Sequence, residues 1–175
     1  MRYIALLRGI NVGGNTMIKM EELRKTFEAL RFENVKSYIN SGNLAFDSAM
    51  SSEEKLVKKI EQAIEKDFGK LIPTMVREQK DILRVLDSNP FDGRYESHKE
   101  MHVLFMKDEM PAEKQEQLLS QQTDSESFAV IGREIYCHLR LGVADSLLGK
   151  GFIDRKLKVP TTGRNWRTVQ KLVEL

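Results

Sequence analysis

The chain has 175 residues, 41% of them hydrophobic, enough for one core or two small packed subdomains and too few for several independent domains. Its 28 Lys and Arg stand against 26 Asp and Glu, and the formal charge of +2 excludes the one-sided field of a histone-like or polyanion-coating protein. A single cysteine, Cys137, cannot close an intrachain disulfide and fits a reducing compartment, and the apolar residues Tyr3 to Leu7 are too few for a signal sequence or a membrane span. A cytoplasmic protein without a membrane partner is the expectation.

The first predicted element is a strand over Arg2 to Arg8, closed by Gly9, with Tyr3, Ala5 and Leu7 on one face and Ile4 and Leu6 on the other. Both faces are apolar, so both should be covered. A loop with Gly9, Asn11, Gly13, Gly14 and Asn15 leads to a helix marked by Met20, Leu23, Phe27 and Leu30. Val35 to Ile39 reads as a second strand, Asn40 to Asn43 as a turn and Leu44 to Phe46 as a third strand. Ser51 and Glu54 have the form of a capping box, and the stripe Leu56, Val57, Ile60, Ile64 and Phe68 stops at Gly69, suited to a left-handed helix terminus. Leu71 to Val76 supplies a fourth strand, which gives the ferredoxin-like order β-α-β-β-α-β over residues 1–77.

Residues 78–175 open with a short helix carrying Ile82, Leu83 and Leu86, halted by Asn89-Pro90-Phe91 because the residue before proline leaves helical geometry. A strand over Met101 to Met106, a helix from Pro111 to Leu119, and strands Ser127 to Ile131 and Glu134 to Leu139 about Gly132-Arg133 repeat β-α-β-β. Residues 143 to 158 read as partly helical, and Asn165 to Leu172 as a closing amphipathic helix with Trp166 and Val169 on one side. The fold class expected is α+β, a single unit of two tandem ferredoxin-like subdomains split at 77/78, the second ending in helices.

Four groups of residues are candidates for chemistry. Gly9 and Gly14 are spaced as in a phosphate-binding P-loop, but Asn15 and Thr16 replace the lysine and hydroxyl residue that phosphoryl transfer requires. The loop is then either a turn needed for backbone geometry or a site for a small anionic or polar ligand built from Arg8, Gly9, Asn11, Gly13, Gly14, Asn15 and their amides. Thr161, Thr162, Arg164, Asn165 and Arg167 lie where the last helix is expected to start, so hydroxyls and guanidinium groups collect at the positive end of a helix dipole; helix capping and core packing of Trp166 are the plainer roles. Ser41, Gly42 and Asn43 are ordinary turn residues unless they meet the other two segments, and antiparallel neighbours would put Arg8 near one end and Asn43 near the other.

Adjacent Cys137 and His138 point to opposite faces of a strand and cannot form a thiol–imidazole pair, and His98 with His102 lacks a third metal ligand at recognisable spacing. No catalytic residue, metal or cofactor is assigned. Tyr3 occupies a position where RNA-binding sheets carry a base-stacking aromatic, yet the third strand offers Asn43, Leu44, Ala45 and Phe46 in place of the repeated aromatic pattern.

The runs Leu6 to Asn15 (Leu-Leu-Arg-Gly-Ile-Asn-Val-Gly-Gly-Asn), Ser37 to Asn43 (Ser-Tyr-Ile-Asn-Ser-Gly-Asn), Asn89-Pro90-Phe91 and Arg164 to Val169 (Arg-Asn-Trp-Arg-Thr-Val) resemble domain-of-unknown-function family 1697. The likeness runs from Tyr3 to Leu172. It implies one unit of two α+β subdomains in mostly bacterial cytoplasmic proteins, and no established activity. Gly163 stands where the family pattern runs Thr-Thr-Arg-Asn.

The functional expectation is binding of a small anionic or nucleotide-like molecule in a cleft lined by the glycine loop and the start of the last helix, held by Arg8, Asn11 and Arg164. A non-enzymatic protein-interaction module, in which these loops only fix packing, is the alternative, and RNA binding the third. No reaction is assigned to any of them.

Overall fold

The computed structural model describes Met1–Leu175 and divides into two compact units, Met1–Arg84 with Lys171–Leu175, and Val85–Gln170. The change of unit falls inside a helix at Gln79–Asp87 rather than at 77/78, and the chain's last residues rejoin the first unit.

The first unit runs β1 (Arg2–Leu7), α1 (Met20–Ala29), β2 (Glu33–Tyr38), β3 (Asn43–Asp47), α2 (Glu53–Phe68) and β4 (Thr74–Glu78), with α3 (Gln79–Asp87) following. Its sheet has the order β2-β3-β1-β4, antiparallel throughout. The apolar stripe of α2 buries Leu56, Ile60 and Ile64, and Gly69 ends it in the left-handed region, as the spacing predicts. The cap is Ser52, whose hydroxyl accepts from the Lys55 amide at 3.2 Å, one residue later than the expected Ser51. β4 starts at Thr74 because Pro73, without an N–H, serves only as an acceptor, taking the Arg8 amide at 2.9 Å. Between this sheet and the helices lies a core of Tyr3, Leu7, Phe27, Phe32, Phe46 and the α2 stripe, each side chain gaining about 1.5–3 kcal/mol from burial. Tyr3 stacks on Phe46 at 5.7 Å and donates its hydroxyl to the Met50 carbonyl at 2.9 Å. The opposite face of β1, with Ile4 and Leu6, is buried as well.

The second unit runs β5 (Met101–Met106), α4 (Ala112–Leu119), β6 (Glu126–Ile131), β7 (Glu134–Leu139), a π-helical turn (Phe152–Lys156), β8 (Thr161–Asn165) and α5 (Trp166–Leu172). Its sheet order, β6-β7-β5-β8, repeats that of the first and is again antiparallel. The expected close in helices alone is corrected here: Thr161–Asn165 is a strand paired with β5, and the helix starts only at Trp166. Two β-branched threonines favour the strand, and Gly163 leaves room for the Leu104 side chain, whose Cδ2 would have to shift to admit a Cβ 2.8 Å away. Residues 143–158 contribute one π-helical turn where the first unit has its longest helix. Leu104, Met106, Leu118, Phe128, Ile135, Cys137, Leu139 and Ile153 form this unit's core.

The two fourth strands share a pattern. Thr74-Met-Val-Arg77 and Thr161-Thr-Gly-Arg164 each place a buried arginine opposite the third residue of the first strand of its own sheet, Ile4 and Val103 respectively. Each guanidinium also donates to the carbonyl before it, Arg77 to Val76 at 2.9 Å and Arg164 to Gly163 at 2.8 Å. At the sheet margin, the Phe128 amide of β6 donates to the Gln122 side-chain oxygen at 2.9 Å. The whole is a mixed α+β protein of two four-stranded antiparallel sheets, with no helix long and apolar enough to cross a membrane.

Candidate functional site

In the first unit, β1 runs straight into the glycine loop, and β3 starts beside the point where β1 ends. Leu6 pairs with Asn43, and the Leu7 amide donates to the Gly42 carbonyl at 2.9 Å. Arg8 and Asn43 therefore lie at the same end of the sheet, correcting the expectation of opposite ends: antiparallel pairing sets the end of one strand beside the start of the next. Gly42 (φ 89°) is fixed by this approach, because a Cβ would come within 2.7 Å of Leu7 Cβ.

The polar residues of the loop are spent on its own construction. Asn11, itself at φ 55°, accepts the Ile18 amide at 2.7 Å and donates both to the Ile18 carbonyl at 2.9 Å and to the Asn40 carbonyl at 2.6 Å. Those bonds tie the glycine loop to the β2–β3 turn. Val12 and Asn15 form a β-bridge about Gly13 and Gly14, both at positive φ, which is the pattern of a type I′ hairpin turn. The Asn11 and Asn15 amides are taken by the Thr16 and Val12 carbonyls, which closes the hairpin. Asn43 is buried, donating to the Tyr38 carbonyl at 3.1 Å and to the Ser41 hydroxyl at 2.9 Å.

Among its exposed glycines and asparagines, the tip presents three large apolar side chains outward. Val12, Met17 and Ile39 are 61%, 66% and 53% exposed. Ile39 does so at φ 49°, a conformation costing a β-branched residue about 1–3 kcal/mol.

In the second unit the flagged residues lie on β8 and its junction with α5. Arg164 is buried and donates to the Thr162 hydroxyl at 2.8 Å. Loss of solvent lowers its pKa to about 10, which leaves the guanidinium charged at neutral pH. Thr161 is buried, and Asn165 accepts the Thr168 amide at 2.9 Å as the helix cap. Arg8, Gly9, Gly13, Gly14 and Asn15 remain at least partly exposed on the first unit. Tyr3 is wholly buried, out of reach of a stacking base. Burial raises the Cys137 thiol pKa, so no thiolate nucleophile forms there. His102 meets the Lys99 carbonyl at 2.9 Å, and no three His, Cys, Asp or Glu side chains gather as metal ligands.

A family model described as a protein of unknown function, DUF1697, matches residues 1–136. The chain belongs to this family. Among solved structures it is similar to a conserved bacterial protein from Streptococcus pneumoniae, at 27% identity and a TM-score of 0.75, over 99% of this chain and 97% of that one. No curated protein matches. The match to the DUF1697 model takes in the glycine loop, the β2–β3 turn and Asn89-Pro90-Phe91, and ends before Arg164 to Val169. Sequence reading flagged the tip's glycines and asparagines and passed over Val12, Met17 and Ile39. The available signal was large apolar residues inside a segment otherwise made of turn formers.

Proposed function

We propose that this DUF1697 protein is an interaction module that docks a protein partner on the tip made by the glycine loop and the β2–β3 turn. One observation carries the reading: Val12, Met17 and Ile39 are held outward on a tip that the three hydrogen bonds of the Asn11 side chain keep in shape. Exposed apolar clusters on a fixed frame are what protein interfaces anchor on, and methionine adapts to the partner's contours. A photo-crosslinking residue in place of Met17, activated in cells, should trap a discrete partner that the same group in place of Lys66 on α2 does not. V12S with I39S should remove that adduct. Identical products from both positions, or none, would overturn the reading.

A second reading keeps the small anionic or nucleotide-like ligand, for which the buried, charged Arg164 beside Thr162 speaks. Inorganic phosphate or a nucleoside monophosphate should then raise the melting temperature of the wild type and leave R164A unmoved; an unmoved wild type sinks it. We further read the two sheets as tandem ferredoxin-like halves of a bacterial cytoplasmic protein, a reading supported by their common strand order and by the bacterial neighbour.

A further inference from the structure

Asn89-Pro90-Phe91 takes no part in the tip, yet it carries an anomaly. Asn89 is 8% exposed, and its Oδ1 accepts the Phe91 amide at 2.9 Å, which fixes the orientation of the side-chain amide and turns Nδ2 the other way. Nδ2 is buried without a hydrogen-bond partner in the protein. The other buried side-chain atom in that condition is Nε2 of His138, a residue 4% exposed on β7. Both belong to the second unit, and both adjoin Phe91, whose ring centroid lies 6.0 Å from that of His138. Tyr95, half-buried, makes an edge contact with His138 at 6.5 Å and another with Trp166 at 6.2 Å.

Buried polar groups in folded proteins nearly always have partners, and one left unmet costs about 1–3 kcal/mol. Two orphans, one on the residue that bonds the Phe91 backbone and one on the ring beside the Phe91 ring, point to a shared guest. The guest must accept from an amide N–H and exchange a hydrogen bond with an imidazole nitrogen. A neutral guest fits best, because the charges acting on His138, Glu100 against Arg94 and Arg140, are of both signs and the rings of Phe91 and Tyr95 offer an ion no hydrogen bond for lost water. A hydroxyl meets all three demands, since it donates once and accepts twice.

We infer that Asn89 Nδ2 and His138 Nε2 form a site for one neutral hydroxyl group beside Phe91 and Tyr95, supplied by an ordered water or by a small alcohol. A wild-type crystal structure at high resolution should show density within about 2.6–3.2 Å of both nitrogens. Glycerol titrated into the protein, with the His138 imidazole resonances followed by NMR, separates the sources. A saturable shift assigns the hydroxyl to an alcohol, and density with resonances indifferent to glycerol assigns it to water. Density touching neither nitrogen or only one, or a protein group bonded to either, would overturn the site. H138F gives an independent reading: a dry pocket would raise the melting temperature when the orphan is replaced by a ring carbon, whereas a bridged hydroxyl predicts a fall.

Discussion

The two units thread the same strand order, yet cover their sheets by different means. In the first, α1 and α2 lie over β1, β3 and β4, and the space between is filled by rings: Phe32 stacks on Phe46 at 4.3 Å, and Phe27 meets Phe46 edge-on at 5.5 Å. In the second, α4 covers part of the sheet, a single π-helical turn replaces the second helix, and the core beneath them is built of Leu, Ile, Met, Val159 and Cys137 with the ring of Phe128, while Phe105 and Tyr136 are buried outside that cluster. Strand pairing sets the topology, and the helical cover is free to vary if some apolar surface closes the core. The consequence is an uneven distribution of energy: the first unit concentrates it on Phe46, while the second spreads it over many smaller contacts.

Truncation should expose that difference first. F46A removes a ring shared by three aromatic partners and should cost about 3–5 kcal/mol, read by chemical denaturation, with loss of amide protection across β1 and β3. F128A, on the outer strand of the other sheet, should cost less; equal losses would contradict the contrast. G42A comes next at about 1–3 kcal/mol, because the new methyl overpacks Leu7 Cβ and the backbone is held at φ 89°. S52A, which removes the α2 cap, should cost about 1 kcal/mol in the first unit alone.

Acid provides the gentlest separation of the units, since all three histidines, His98, His102 and His138, lie in the second. Burial is the main cause that lowers the pKa of His138, with Arg140 and Arg94 adding repulsion and Glu100 opposing it. Burial also lowers that of His102, against the Lys99 carbonyl. Depressed values mean that the neutral forms stabilise the fold above the unfolded value of about 6.5, and that this contribution fades as pH falls through it. Hydrogen exchange at pH 5 should show imidazole-dependent weakening in the second unit, reduced in H138F to the share that His102 contributes. If H138F weakens as the wild type does, His138 is not the source.

Much of this architecture is written in local pattern. The 3.6-residue stripe of α2 and its closing Gly69, the short apolar run of β1 and the two-residue turn before β7 locate themselves by periodicity and turn chemistry. β8 escaped because Gly163 and Arg164 are poor strand formers, and the strand it pairs with, β5, is far away in sequence. Its kinship to β4 would have been visible as a repeated Thr-x-x-Arg, a motif too short to weigh without the register. At the tip, the asparagines advertise hydrogen bonding but not whom they serve. Only the fold reveals that Asn11 and Asn43 bond to their own loops and that Val12, Met17 and Ile39 face outward. The orphaned Asn89 and His138 were illegible for the same reason, since an unmet hydrogen bond has no sequence signature.

The small contact between Gln122 and the Phe128 backbone also bears on how crowded copies of this chain would behave. An outermost strand is an open invitation to another strand, answered one amide at a time. With that amide already occupied, an incoming neighbour would first have to displace the glutamine. One side chain thus blunts that edge without altering anything inside the sheet.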